Sequence, residues 1–332
     1  MLTRSTGRVR AALAVLAVAS IAALTGCGTS ADEAKDTASG TREVATARGT
    51  VSVPSDPKRI VVLNGALAGY LYDLDAPVVA ADPRLLGVAT PKGEFPQVWA
   101  ADAKEQGTQV VPTGEDINLE FVAAQRPDLI IGGGQGYPAQ QTLNAYDQLS
   151  AIAPTALMPA GTTDWQEQLR YLADLVGRGD QVDGLLGNYR TKLAEVKSAI
   201  KIPAGNTTLV QSAKGDKPVV FVPSASLPKL LAEVGFALDT QVKAKAGNPE
   251  MPEAADYFSM SPELLNTVVD APVTFVVTIN GGRSLEQLRT DPLYAKLPSF
   301  TANTVYELPA ISSRPDYRTV MSTLELLKDR FK

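Results

Sequence analysis

Histidine is absent from all 332 residues, and there is a single cysteine. Histidine is the commonest transition-metal ligand and the commonest general base near neutral pH. Ser-His-Asp and Cys-His hydrolytic machinery is therefore impossible, and protein-only zinc, copper or haem ligation through His or Cys is disfavoured. A carboxylate pair or a Ser-Lys mechanism is not formally excluded, but no motif points to one. The glycine run Gly132-Gly133-Gly134-Gln135-Gly136 lacks the lysine and the serine or threonine of a P-loop. It reads either as close approach of backbone to a ligand or as a flexible turn. A formal net charge of −5, with no basic patch interleaved with aromatics, argues against nucleic acid. These residue types point to a binding protein, not an enzyme.

Cys27, the one thiol, cannot form an internal disulfide. Arg4, Arg8 and Arg10 precede an apolar run over residues 11–24, which ends at Thr25-Gly26-Cys27. That is a positive n-region, an h-region and a small-residue cleavage site. The run is too short to span a bilayer comfortably as a mature helix. Leu24-Thr25-Gly26-Cys27 resembles the bacterial lipobox, where cleavage precedes the cysteine and the thiol is lipidated. The alternative is an ordinary secretory signal with an incidental cysteine. Stable anchoring takes more than one acyl chain. Residues 28–50 carry few large apolar side chains and read as a flexible tether, placing the protein on the extracellular face of the cell membrane.

Beyond the tether, short apolar runs alternate with helical patterns, the signature of βαβ units in an α/β fold. Strands are expected over 59–63, 77–81, 109–111, 128–131 and 154–158, then over 209–210, 218–222, 273–279 and 304–308. Helices are expected over 117–125 and 140–152, then over 227–234, 262–269 and 318–331. Between the halves, Trp165, Leu169, Leu172 and Val176 share one helical face. A longer helix with Val182, Leu186, Tyr189, Leu193 and Val196 in period runs on until Pro203 stops it. It is either a surface helix or a rigid strut joining two lobes across a cleft. The expected organisation is a signal peptide over 1–26, a tether over 27–50, an N-terminal lobe over 51–178, a connecting helix over 179–202 and a C-terminal lobe over 203–332.

Several segments resemble the siderophore, haem and cobalamin branch of ABC solute-binding proteins. Pro57-Lys58-Arg59-Ile60-Val61-Val62-Leu63 is similar to that family's opening strand. Asn118-Leu119-Glu120, with Gln125-Arg126-Pro127-Asp128-Leu129-Ile130-Ile131 after it, resembles its most recognisable segment. Tyr146-Asp147-Gln148-Leu149-Ser150 leading to Asp164-Trp165, and Asp291-Pro292-Leu293-Tyr294 leading to Val305-Tyr306, resemble later ones. The ordered set covers nearly all of the mature chain. It implies two Rossmann-like lobes joined by one long helix, a ligand cleft between them, and delivery to an ABC permease by a monomer. It also implies permease docking through Glu120 and Glu263, whose alternative role is as helix-start carboxylates favoured by the macrodipole.

A ferric siderophore brings its own oxygen ligands, so neither a cofactor nor a protein metal ligand is required. The protein supplies cations, hydrogen-bond donors and aromatic walls. Such groups are expected at the carboxyl ends of strands, where α/β sheets bind ligands. The N-lobe candidates are Asn64, Arg84, Tyr137 and, as a wall, Trp99; the C-lobe candidates are Arg283, Arg314 and Tyr317, together with Tyr257, where the resemblance implies an aromatic against the ligand. The modest number of arginines tilts the expectation towards hydroxamate or mixed chelates. Haem held by Tyr137 or Tyr257, cobalamin, and an envelope scaffold that kept the fold are the alternatives.

Overall fold

The computed structural model describes residues 40–251 and 255–332; the signal peptide, Cys27 and the chain up to residue 39 lie outside the described residues. The expected tether ends earlier than residue 50. β1 (Thr41–Thr46) and β2 (Gly49–Pro54) form an antiparallel hairpin, with Thr41 opposite Pro54 and Thr46 opposite Gly49. Thr, Val and Ala alternate there, and Val44 and Val53 turn into the core, which is what orders so polar a segment. Arg42 reaches Asp174 at 3.3 Å and Arg178 reaches Asp56 at 3.1 Å, fastening the hairpin's base.

The first lobe runs β3 (Ile60–Val62), α1 (Gly65–Asp73), β4 (Val78–Ala81), α2 (Ala100–Glu105) and β5 (Gln109–Val110). It continues with α3 (Leu119–Ala124), β6 (Leu129–Gly133), α4 (Gly136–Asn144), α5 (Tyr146–Ser150) and β7 (Thr155–Met158). All five expected strands are present. They form a parallel sheet in the order β5-β4-β3-β6-β7. β3 and β6 are buried throughout, as strands covered on both faces must be. α3 and α5 cover one face through Val122 and Leu149; α1 covers the other through Leu67, Tyr70 and Leu71. The expected helix over 140–152 is two, broken at Ala145. α1 was not anticipated, because it is apolar nearly all round and its pattern has no polar face to betray the period.

α6 (Trp165–Leu175), a 3-10 turn over Gly179–Gln181 and α7 (Val182–Ala199) lead to the second lobe. α7 is roughly 27 Å long at about 1.5 Å per residue. The second lobe comprises β8 (Asn206–Ser212), β9 (Val219–Phe221), α8 (Ser226–Val234), β10 (Ala237–Leu238) and α9 (Val242–Lys245). Then come β11 (Tyr257–Ser259), α10 (Leu265–Val268), β12 (Val273–Thr278), α11 (Leu285–Thr290), α12 (Pro298–Thr301), β13 (Val305–Pro309) and α13 (Tyr317–Phe331). Its sheet, ordered β11-β9-β8-β12-β13 with β10 also against β8, is mixed. β9 is antiparallel to both β8 and β11. A short β8–β9 connection permits only that direction, whereas a parallel pair needs a crossover.

The chain crosses between the lobes through α7, and packing reinforces that crossing. α13 packs along α7 and also against α1 and α6 of the first lobe. One apolar cluster runs from Ile60 and Leu71 through Trp165 and Tyr189 to Phe275 and Leu324, so the core is continuous across the junction.

Candidate functional site

A cavity of about 640 Å³ opens between the lobes. Its floor is Gly133, the last residue of β6, with Gly134 and Gln135 after it, and its walls include Leu157 and Met158 of β7 and Gln140 and Leu143 of α4. The second lobe supplies Glu250, Met251, Asp256, Tyr257, Phe258, Ser259 and Arg314. Ala47 at the hairpin tip and Leu86 on a loop after β4 complete the rim. The site thus lies at the carboxyl ends of the first lobe's strands, as expected of an α/β sheet.

Gly133 explains the glycine run. Its φ is +75°, and a Cβ there would stand 2.5 Å from the Met158 carbonyl oxygen and 2.6 Å from the Met158 nitrogen. Backbone crosses backbone at that point, and only glycine permits it. The run is a close approach, but to β7 first and to the cavity second. Asn64 locks the same floor from beneath. Its side-chain oxygen accepts from the Ala66 N–H at the start of α1, and its amide donates to the carbonyls of Gly133 (2.8 Å) and Gln135 (3.1 Å).

Arg314 is the cation of the cleft. It follows β13 and a 3-10 turn, and its side chain is 14% exposed. Nε donates to the Leu86 carbonyl at 2.8 Å, Nη1 donates to the Ser313 carbonyl at 3.1 Å, and Asp256 Oδ2 lies 3.8 Å away. Burial pushes the Asp256 carboxyl up, opposed by Arg314 and Lys229; burial also pulls the Arg314 guanidinium down. Tyr257 stands beside them with its ring edge-on to Phe221 at 6.1 Å.

Of the eight expected ligand contacts, Tyr257 and Arg314 line the cavity. Asn64 lies under it, bordering a small void of about 70 Å³ that Arg314 also reaches. Trp99 is not a wall: it is 1% exposed and packs on Tyr72 and Phe95 in the core. Arg84 is held by the buried Asp82 (Nε to Oδ1 2.9 Å) and by Gln141 (2.6 Å), and lines a separate groove of about 520 Å³. Tyr137, 55% exposed, lies under the Arg84 guanidinium at 5.8 Å, and its hydroxyl donates to the Glu115 carbonyl. Arg283 pairs with Asp291 and covers the Tyr294 ring at 5.3 Å. Tyr317 opens α13 and packs against the core. Glu120 and Glu263 are both exposed in first helical turns; the Ser261 hydroxyl and a backbone N–H hold the Glu263 carboxyl below its usual range.

Sequence reasoning missed Leu86, Gln135, Leu143, Met158 and Asp256. Asp256 adjoins Tyr257 and was within reach. Leu86, an apolar residue in a proline-rich loop, is 55% exposed and gives no periodic signal. Among the described residues no group of three or more His, Cys, Asp or Glu side chains is placed to hold a metal ion.

The periplasmic binding protein family matches residues 60–311, which include both sheets and the cavity floor. The chain is a periplasmic binding protein. Members of this family bind ligands outside the cytoplasmic membrane and are not enzymes. This periplasmic binding protein is 30% identical over 315 residues to the ferric enterobactin-binding periplasmic protein FepB of Escherichia coli O6:H1, covering 93% of this chain and 96% of that one. It is 25% identical over 293 residues to the probable siderophore-binding lipoprotein YfiY of Bacillus subtilis, covering 84% and 83%. The crystal structure of holo-ViuP shares its fold with a TM-score of 0.73 and 26% identity, over 87% of this chain and 95% of that one. No helix among the described residues is long and apolar enough to cross a membrane.

Proposed function

We propose that this protein captures a ferric siderophore and delivers it to the permease of an ABC importer. The observation that carries this is the cleft of about 640 Å³ at the strand ends, walled by Leu86, Leu143, Met158 and Phe258 and holding the Arg314 guanidinium. Its volume suits one chelate-sized ligand. Apolar walls and a few fixed donors suit a ligand whose metal is already coordinated, so the iron is held by the siderophore and not by the chain. The FepB and YfiY names support the same ligand class. Lipidation of Cys27 anchors the protein on the outer face of the membrane, and the exposed Glu120 and Glu263 serve as the permease contacts, one on each lobe.

The test is a calorimetric titration of the full chain in detergent with ferrichrome, ferrioxamine B, ferric enterobactin, haemin and cobalamin. Saturable binding of at least one iron chelate at micromolar affinity or tighter is expected. Saturation by haemin or cobalamin alone keeps the binding role and replaces the ligand. Silence from all five moves the function to an envelope scaffold.

A further inference from the structure

The cleft is poor in positive charge. Among its described lining residues two carboxylates, Glu250 and Asp256, face one guanidinium, Arg314. The other candidate cations are spent elsewhere: Arg84 on Asp82 and Gln141, Arg283 on Asp291. Arg48 is exposed at the hairpin tip, with its guanidinium 4.9 Å over the Tyr146 ring and outside the lining. Arg314 is itself engaged, by the Leu86 and Ser313 carbonyls and by Asp256 at 3.8 Å. The first turn of α4 opens on the same floor, but Pro138 within it has no N–H to offer an anion.

We infer that Asp256 is a charge filter, neutralising Arg314 so that the cleft favours neutral or cationic iron chelates over tri-anionic ones. This rests on the siderophore reading above and narrows it. A tri-anionic chelate entering here meets one guanidinium already paired and two carboxylates: Glu250 is exposed and screened, but Asp256, at 22% exposure, is shielded enough for its repulsion to be felt. A neutral trihydroxamate meets no such repulsion. Its carbonyl oxygens can take the Arg314 N–H groups, and its apolar arms the exposed Leu86 and Leu143 side chains at the rim. The FepB relative is named for binding ferric enterobactin, a tri-anionic chelate, so likeness of fold does not by itself carry over the ligand's charge class. Specificity is then built partly from repulsion, as selective sites commonly are.

The experiment compares ferrichrome (neutral), ferrioxamine B (cationic) and ferric enterobactin (tri-anionic) on the full chain and on Asp256→Asn. Asparagine keeps the shape and the backbone carbonyl that accepts the Val222 N–H at 2.9 Å. The expected result is at least tenfold tighter binding of ferrichrome and ferrioxamine B than of ferric enterobactin. Asp256→Asn should raise the enterobactin affinity about tenfold relative to ferrichrome, and weaken ferrioxamine B relative to both. Enterobactin binding as tightly as the others, or a substitution that shifts all three equally, overturns the filter while leaving siderophore capture intact. If none of the three binds, the siderophore reading fails and the filter goes with it. Circular dichroism melting of the Asp256→Asn variant separates misfolding from altered selectivity, and a cooperative melt within a few degrees of the parent is required before the affinities are compared.

Discussion

On the α7 side, the two sheets are joined by apolar core and by ion pairs that cross between lobes. Trp165 lies edge-on to Tyr189 at 5.0 Å, and the Tyr70 hydroxyl sits between Gln168 (2.8 Å) and the Pro315 carbonyl (2.9 Å). Arg318 of α13 reaches Asp73 of α1 at 2.5 Å and also pairs with Asp102 of α2. Gly69 lets the Asp316 carboxylate lie directly on α1, since a Cβ there would stand 2.1 Å from Oδ2. On the cleft side the lobes touch through loops: the Asn280 N–H donates to the Gly87 carbonyl, and Arg314 to the Leu86 carbonyl. The first kind of junction is expensive to open and the second is not. Any closure on ligand is therefore confined to the mouth, with the back acting as a weld more than a hinge.

The largest effect that separates the two sides is at Trp99. Trp99→Ala empties a site in the core and should cost about 3–5 kcal/mol of unfolding free energy. Any fraction that remains folded should bind ligand as the parent does. Leu86→Ala should do the reverse. Its side chain is 55% exposed, so stability should stay within about 0.5 kcal/mol, while lost apolar contact should weaken chelate binding about tenfold. Urea titration and calorimetry on the same two variants check both. Equal loss of binding in the two would erase the distinction between core and mouth.

That contrast also explains what could be read from the chain alone. The buried strands were legible because runs such as Ile60-Val61-Val62 and Leu129-Ile130-Ile131 bury both faces and are bounded by turn residues. α7 was legible because half of it faces solvent, giving a clean period. The hairpin was not, since only Val44, Val51 and Val53 carry its apolar side and the rest is polar. The cleft was half legible. Strand ends can be counted from sequence, which put Arg314 in place after β13; Tyr257, the first residue of β11, came from the family resemblance instead. Whether an arginine at such an end is free depends on side-chain geometry that sequence does not give: Arg84 is taken by Asp82, two residues away, and by Gln141, 57 residues away, and Arg283 by Asp291. Trp99 failed for a related reason, because its loop folds back onto Tyr72.

A middle-sized effect probes the weld. Burial pushes the Asp73 carboxyl up to about 7, against the pull of Arg318, while Asp316 and Asp102 add repulsion. The folded state then holds a proton on Asp73 that the unfolded chain releases near pH 4, so this contribution to stability is complete below about pH 4 and falls as pH rises towards 7. The slope should approach, and not exceed, about 1.4 kcal/mol per pH unit, and Asp73→Asn should flatten it. Arg318→Met should cost about 2 kcal/mol at pH 8, where Asp73 is ionised, and less at pH 5, where it is not. Denaturant midpoints at the two pH values, for all three proteins, are the measurement. A parent whose stability rises between pH 5 and pH 7 in step with Asp73 would contradict the assignment.

The smallest effect comes from the ion pairs that look most numerous. Lys192 and Glu195 on α7 face Glu325 and Lys328 on α13, with Lys328 reaching Glu195 at 2.5 Å and Lys192 pairing with Glu325. The two lysines are held above their usual pKa and the two glutamates below, each chiefly by its cross-helix partner. The two glutamates are nearly half exposed and the lysines partly so, and at such a surface screening and side-chain entropy consume most of the attraction. Glu325→Gln should therefore leave the denaturant midpoint close to the parent's at physiological salt, with any small difference vanishing near 1 M. The apolar residues beneath, Tyr189 and Val196 from α7 and Leu324 and Leu327 from α13, are buried and hold the helices together whatever the charges do. A clear, salt-dependent fall in the midpoint from Glu325→Gln would mean that the weld is electrostatic at its surface too, and the mouth would then have to be judged against a more salt-sensitive back.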